Sequence, residues 1–289
     1  MPVAASDIVP LHVLGTDVDL HVGGHRTPHL VQVLRDRWHL CLRADGTPTS
    51  AEPPQVVGAT LLEPDAAPGA SATSDPAAAP GWARGDSVSD SDEPRLLQRL
   101  TQSVTYAAIG ARSGELLMLH AAGLADPVTG ATAAFVAPGN TGKTTLCRTL
   151  GPARSYVSDE TVGVRRDGTV TPYPKPLSTR RPDWAGVKDE QAPGSLGLRA
   201  PEVTPWLAGV VLLRRVEGHR GAPEVEELDV LDAIMAITPE SSAFMRTERP
   251  LHWLADVLDR TGGARRVTYG EVGELEPLVG EICGRRSPW

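Results

Sequence analysis

The sequence predicts an α/β fold, a mixed sheet flanked by helices, with a small α+β region ahead of it. Three observations carry this. Apolar runs of strand length alternate with longer stretches whose apolar residues recur at helical spacing. Their order is not the strict strand–helix alternation of an all-parallel sheet. One compact apolar run, ATAAFVA from Ala131 to Ala137, leads straight into a glycine-bearing turn and a helix.

Residues 1–62 form the first region. Strand-like runs span Leu11 to Val22, and in HLVQVLRDRWHLCL the residues Leu30, Val33, Leu34, Trp38 and Cys41 fall at helical spacing. VVGATLL, from Val56 to Leu62, reads as a short strand. Residues 63–92 then change character, as in PDAAPGASATSDPAAAP, which has too few aliphatic side chains to offset its ordering entropy. This stretch is expected to be a flexible linker and a domain boundary. Residues 93–289 form the main domain. Leu96, Leu97, Leu100, Val104, Ala107 and Ile109 mark one face of a helix, and a strand follows from Glu115 through LMLHAAGL. After the strand–turn–helix unit, which ends at Gly151, SYVS, TVGVRR and TVTPY read as short strands, with Asp167-Gly168 as a hairpin turn. Residues 174–205, rich in Pro, Gly and Arg, read as a long functional loop. LAGVVLLRRV is a buried strand, ELDVLDAIMAI, SSAFMRTERPLHWLADVLDR and EVGELEPLVGEIC are helices, and RRVTY is a strand before the last.

Composition narrows the function classes. With 289 residues and 40% hydrophobic, the chain can bury one large domain, or a medium domain with an appendage. A formal charge of −8 disfavours a dedicated nucleic-acid binder, which needs a basic face for phosphates. Cys41, Cys147 and Cys283 are far apart, without a CxxC pair or Cys/His cluster, so neither a disulfide scaffold nor a zinc site is indicated. No apolar run approaches the ~20 residues of a membrane span, and the start MPVAASDIVPLHVLG has no basic-then-apolar leader pattern. The expectation is a cytoplasmic protein without a membrane partner, compatible with a homo-oligomer. Only Lys143, Lys175 and Lys188 among the 28 basic residues are lysine, and Asn140 is the sole asparagine.

Lys143 lies in the strongest motif. Ala137-Pro138-Gly139-Asn140-Thr141-Gly142-Lys143-Thr144-Thr145 fits G-x-x-x-x-G-K-[ST] apart from its first position, where Ala137 stands. Gly139 and Gly142 let the backbone turn tightly with its amides inward, forming an anion-binding nest. The helix starting near Thr144 adds its positive end. Lys143 is expected to bridge β- and γ-phosphates and the Thr144 hydroxyl to ligate Mg²⁺. Residues 138–145 are thus the candidate binding set for a nucleoside triphosphate. A base-reading N-K-x-D motif is impossible with one asparagine at 140, and no LSGGQ-like signature follows the loop. Instead an acidic pair, Asp159-Glu160 in YVSDE, comes early, where one short helix and one strand would return it beside the phosphates. Asp159 there could hold Mg²⁺ or accept a proton, with Glu160 as second acid.

The strand ending in His120 (LMLHAAGL), the loop at 137–144 and the acids of YVSDE, in that order, resemble the HPr serine kinase/phosphorylase superfamily over roughly residues 93–215. The resemblance implies a phosphate-binding-loop core similar to phosphoenolpyruvate carboxykinase, with ATP and Mg²⁺ as cofactors. It implies Asp159 as base toward a serine hydroxyl, His120 as the group tuning it, Lys143 on the phosphates, and Thr144, Asp159 and Glu160 on the metal. Two departures stand out: the second acid is Glu160 where those enzymes carry Asp, and no matching glycine-rich segment follows the pair. These departures weaken the case for HPr as the substrate, and the implied acceptor is a serine-type hydroxyl on a protein, peptide or small molecule, free serine included. The rival reading is a non-catalytic ATP-binding accessory protein in which nucleotide orders residues 174–205 for a partner. His21, His25 and His29 are spaced by four, but Gly23, Gly24 and Pro28 argue against a helix there, and the three read as surface residues. Lys175, Arg180 and Arg181 are secondary candidates for phosphate contacts, since arginine suits bidentate phosphate binding.

Overall fold

Alternating apolar residues at the start of the chain become strands, and glycine-assisted turns set where they end. A computed structural model describes residues 7–64, 87–181, 183, 184 and 186–289. The chain divides into two units, Met1–Ala111 with Lys175–Pro193, and Arg112–Pro174 with Gly194–Trp289. The first unit opens with β1 (Ile8–Val13), β2 (Thr16–Gly24), α1 (Thr27–Arg37), β3 (Gln55–Leu61), β4 (Ser87–Asp90) and α2 (Glu93–Ala111). The second supplies β5 (Leu117–Ala125), β6 (Ala131–Val136), α3 (Lys143–Leu150), β7 (Ser155–Ser158), β8 (Thr161–Val164) and β9 (Val170–Thr171). The chain returns to the first unit for β10 (Leu177–Arg180) and β11 (Lys188–Gln191). It ends in the second with β12 (Trp206–Arg215), β13 (Glu224–Leu228), α4 (Val230–Ile237), β14 (Ser241–Ser242), α5 (Pro250–Thr261), β15 (Ala264–Tyr269) and α6 (Glu276–Cys283).

In the first unit the sheet order is β1-β2-β3-β4, with β1 antiparallel to β2 and the rest parallel. Leu14 and Gly15 both take left-handed conformations in the β1–β2 turn, the geometry of a tight hairpin. α2 packs on β2, β3, β4 and β11. Its buried residues are Leu96, Leu97, Leu100, Thr101, Val104, Thr105 and Ala108. Ala107 and Ile109, expected on that face, are only half-buried, because the helix repeat carries the buried stripe through Thr101, Thr105 and Ala108 instead.

Four expectations need correction here. Most of the expected linker 63–92 lies outside the described residues, but Ser87–Asp90 at its end is a strand paired with β3. The division of the chain also does not fall at residues 92 and 93, because α2 packs with the first unit's strands. Residues 174–205 are not one long loop: β10 and β11 form an antiparallel pair assigned to the first unit. Finally, α1 does form at His29, with Pro28 in its first turn, where the missing amide costs nothing. His21 lies on β2, His25 between the two elements and His29 on α1, so the three do not share a helix. His29 instead meets the Glu93 carboxylate at 3.0 Å.

The described strands of the second unit join one mixed sheet, β13-β15-β12-β6-β5-β8-β9, with β7 and β14 also on β5. β6, β12 and β15 are mutually parallel and the remaining pairings antiparallel, which bears out the expected mixed connectivity. Ala134 and Val136 of β6 join a core with Ala233 and Ile237 of α4 and with Trp253, Leu254, Val257 and Leu258 of α5. α6 covers the opposite face, where a Cβ on Gly209 of β12 would lie 2.9 Å from Ile282. The helices expected in the last third are shorter than the apolar patterns suggested. α4 starts only after Asp229, whose carboxylate accepts from the amides of Leu231 and Asp232, an N-cap that leaves Glu227 and Leu228 in β13. α5 starts at Pro250, after Arg249 takes a left-handed conformation, and Ser241–Ser242 is strand. A separate turn, Val272–Leu275, precedes α6.

Candidate active site

The site begins with a discontinuity in β5. Along Ala121–Ala125 its neighbours are β6 on one edge and β7 on the other, and along Leu117–His120 they are β14 and β8. Both edges therefore change partner next to His120. On one edge β6 ends at Val136, opposite Ala121, and the loop Ala137–Gly142 departs. On the other, β7 ends at Ser158 and β8 resumes at Thr161, leaving Asp159 and Glu160 between them. Two backbone bonds tie these departures to β5: the Ala137 amide donates to His120 (3.3 Å) and the Ala121 amide to Glu160 (3.0 Å). The loop thus leaves the carboxyl end of a parallel strand, where α/β sheets commonly bind ligands.

Within the loop, Gly142 has φ 101 and Asn140 φ 68. The first requires glycine, and the second is a conformation that asparagine tolerates better than most residues. Gly139 has neither a positive φ nor a crowding neighbour, so the tight turn expected of it is made by Asn140 and Gly142. The Thr141 hydroxyl donates to the Pro138 carbonyl (2.8 Å), and Tyr269 at the end of β15 donates to the Thr141 carbonyl (3.2 Å). Pro138, Gly139, Asn140 and Thr145 are exposed, and Thr141, Gly142 and Thr144 are half-buried. Helix geometry leaves the amides of Lys143, Thr144 and Thr145 without an intrahelical carbonyl.

Lys143 is buried, and its ammonium donates to the carbonyls of Ala137 and of Pro138, the latter at 3.0 Å. Burial lowers its pKa to about 8, although the carboxylates of Glu240, Asp159 and Glu160 favour the charged form. Next to it, the Thr144 hydroxyl donates to Asp159 Oδ2 at 2.7 Å, and the Tyr156 hydroxyl donates to Asp159 Oδ1 at 3.0 Å. Asp159 is buried and Glu160 half-buried. The Ser158 hydroxyl accepts from the amides of Glu160 (3.1 Å) and Thr161 (3.0 Å), fixing the turn that presents the acids. The loop, the helix start and the acidic pair therefore meet at the Thr144–Asp159 contact.

The His120 side chain bonds a third acid, Glu240, rather than serving as the tuning partner expected for Asp159. Its Nδ1 lies 2.9 Å from Glu240 Oε2. β14 pairs Ser241 with Leu119 and Ser242 with Met118, and the same antiparallel register puts Glu240 opposite His120. Glu240, Tyr156 and Tyr269 escaped the sequence reading. Glu240 sits in TPESS, which reads as a turn, and reaches the site by strand pairing across 120 residues. The secondary candidates are otherwise engaged. Lys175 is buried and donates to the Pro176 carbonyl. Arg181 is within ion-pair distance of Asp183 and Asp189 and lies over the Trp184 ring. Among the described residues no three His, Cys, Asp or Glu side chains group as a metal cage, and no helix is long and apolar enough to cross a membrane.

No family model matches the chain, and no curated protein matches it. Among solved structures, the Hpr(Ser) kinase/phosphatase from Coxiella burnetii is similar at 12% sequence identity. The match covers 57% of this chain and 92% of that chain, with a TM-score of 0.28. A likeness of that size fixes neither a common fold nor a common activity.

Proposed function

We propose that this chain is an ATP-dependent phosphotransferase of the HPr-kinase type, moving the γ-phosphoryl group to a serine-type hydroxyl of a protein, peptide or small molecule. The observation that carries the reading is the 2.7 Å contact between Thr144 and Asp159, which joins the helix start after the loop to a buried acid beside Lys143. Residues 138–145 would cradle the triphosphate with their amides, and the Lys143 ammonium would turn from the loop carbonyls onto the β- and γ-phosphates. Thr144, Asp159 and Glu160 suit magnesium. A hydroxyl and two carboxylates at the mouth of an anion site supply hard oxygen donors without an all-protein cage, the usual arrangement for a magnesium ion shared with phosphates. When bound, the ion would offset negative charge on the β- and γ-oxygens. Little covalent chemistry is then asked of the protein, because placement and charge stabilisation lower the barrier.

Labelled ATP incubated with the protein and cell lysate tests this reading. Phosphate should appear on an acceptor with wild type and be lost with Lys143→Ala and with Asp159→Asn. Full transfer by both variants would overturn it. The engagement of both Asp159 oxygens by Thr144 and Tyr156 favours a second reading, an ATP-binding accessory protein. Tight ATP binding with no turnover would establish that alternative.

A further inference from the structure

The expected base, Asp159, already accepts hydrogen bonds at both oxygens, from Thr144 and from Tyr156. A second arrangement nearby is better suited to take a proton. Glu240 faces His120 Nδ1 at 2.9 Å. A carboxylate has only acceptor sites, so in the neutral imidazole Nδ1 carries the hydrogen and Nε2 keeps its lone pair. The His120 side chain is 34% exposed against 19% for Glu240, so the histidine is within reach of a ligand while its partner is more enclosed. Position agrees with this division. His120 stands where both edges of β5 change partner, between the departing loop and the acidic pair. The Ala137 amide donates to the His120 carbonyl and the Ala137 carbonyl accepts from the Lys143 ammonium, which places the dyad beside the group expected to hold the phosphates, and the Glu240 carboxylate favours that ammonium's charged form.

The geometry points to the His120–Glu240 dyad as the proton acceptor of the transfer, with His120 Nε2 as the base and Glu240 as its positioning residue. This rests on the phosphotransferase reading. The acceptor oxygen forms a bond to the γ-phosphorus as the bond from that phosphorus to the β,γ-bridging oxygen breaks. The electron pair leaves with ADP. The hydroxyl proton passes to Nε2, Glu240 stabilises the resulting imidazolium, and the proton is then released to water. Asp159 is left to hold Thr144 and the metal. A side-chain carboxylate that fixes one histidine tautomer is a recurring device in proton transfer.

The test uses Mg·ATP as the phosphoryl donor and water as the acceptor probe, reading phosphate release together with ATP affinity. His120→Ala should bind ATP within about twofold of wild type and lose about 10²–10⁴-fold in kcat, with added imidazole restoring part of the loss. Glu240→Gln should lower kcat at least about tenfold without raising KM for Mg·ATP, a split that a purely structural residue would not produce. If His120→Ala does not fold, His120→Asn and Glu240→Gln carry the same comparison. Wild-type turnover retained by these variants, or a loss in His120→Ala that imidazole does not relieve, would overturn the dyad and leave the phosphotransferase reading standing. A wild-type protein that moves phosphate from Mg·ATP neither to water nor to any acceptor in the lysate would overturn both.

Discussion

Lys143 is held in an internal arrangement that a phosphate would replace. Its ammonium caps the carbonyls of Ala137 and Pro138 at the position expected for a triphosphate. Charge-assisted hydrogen bonds of this kind are worth about 1.5–3 kcal/mol each, so Lys143→Ala should weaken ATP binding by roughly tenfold to a hundredfold, measured by calorimetric titration. The same residue sets a pH dependence. Burial lowers its pKa to about 8, so the free protein carries the ammonium well below pH 8 and loses it above. A phosphate prefers the protonated form. ATP affinity should therefore hold at lower pH and fall as pH rises through 8, and this slope should vanish in Lys143→Ala. An unchanged slope in the variant would assign the dependence to another group. Lys143 stood out in the sequence because motif and rarity coincided. Glu240 had no comparable signal, since a lone acid in a polar turn has no local pattern that marks it as a partner of His120.

At the scale of elements, the site is made by β5 changing neighbours halfway along its length. The strand–loop–helix unit from Ala131 to Leu150 was legible because its information is local: an apolar run, a turn that needs Gly142, and helical spacing after it. The exchange of β6 for β14 and of β7 for β8 was not legible, because it depends on pairing between residues far apart in the chain. The β10–β11 hairpin was missed for a related reason. Its Pro- and Arg-rich surroundings look like loop, and its packing on α2 is a tertiary effect, with Gln98 accepting from the Lys188 amide at 2.9 Å. The loop itself should tolerate little change at Gly142. Its φ of 101 costs a residue with a Cβ about 1–2 kcal/mol, although the space there is open enough, with the nearest atom, the Tyr269 hydroxyl, 3.6 Å away. Gly142→Ala should lower stability by about that amount and weaken ATP binding, read from a melt and a titration on the same sample. A melt identical to wild type would show that the loop does not need that conformation.

Over the whole molecule, acid should be the more damaging direction. Several carboxyls are held below their ordinary range. Asp17 is raised by burial but lowered further by hydrogen bonds from His12 and Thr49 and by Arg43. Asp126 is lowered by the Thr129 amide, Asp167 by the Thr169 hydroxyl, and Glu281 to about 2, chiefly by Arg265. Among the described carboxyls only Asp19 is clearly raised, by burial. For a lowered carboxyl the unfolded chain binds the proton more readily, so the stability it contributes is present above the ordinary value of 4.5 for Glu281 and fades as pH falls toward 2. Glu281 bonds Arg265 at 2.7 and 3.0 Å and Arg285 at 3.1 Å, joining α6 to β15, but its side chain is 52% exposed. Solvent screening limits the network to about 1 kcal/mol or less. Glu281→Gln should therefore lie below wild type by that margin above pH 4.5, and the difference should close toward pH 2; a constant offset across the range would contradict the ion-pair account. The central claim, that the loop and the acids at its mouth form a triphosphate site, is tested most directly by a crystal structure with magnesium and a non-hydrolysable ATP analogue. The account predicts phosphates against residues 138–145, Lys143 released from the Ala137 and Pro138 carbonyls onto them, and the metal between Thr144 and Asp159. A nucleotide bound elsewhere, with Lys143 still capping its own loop, would contradict it.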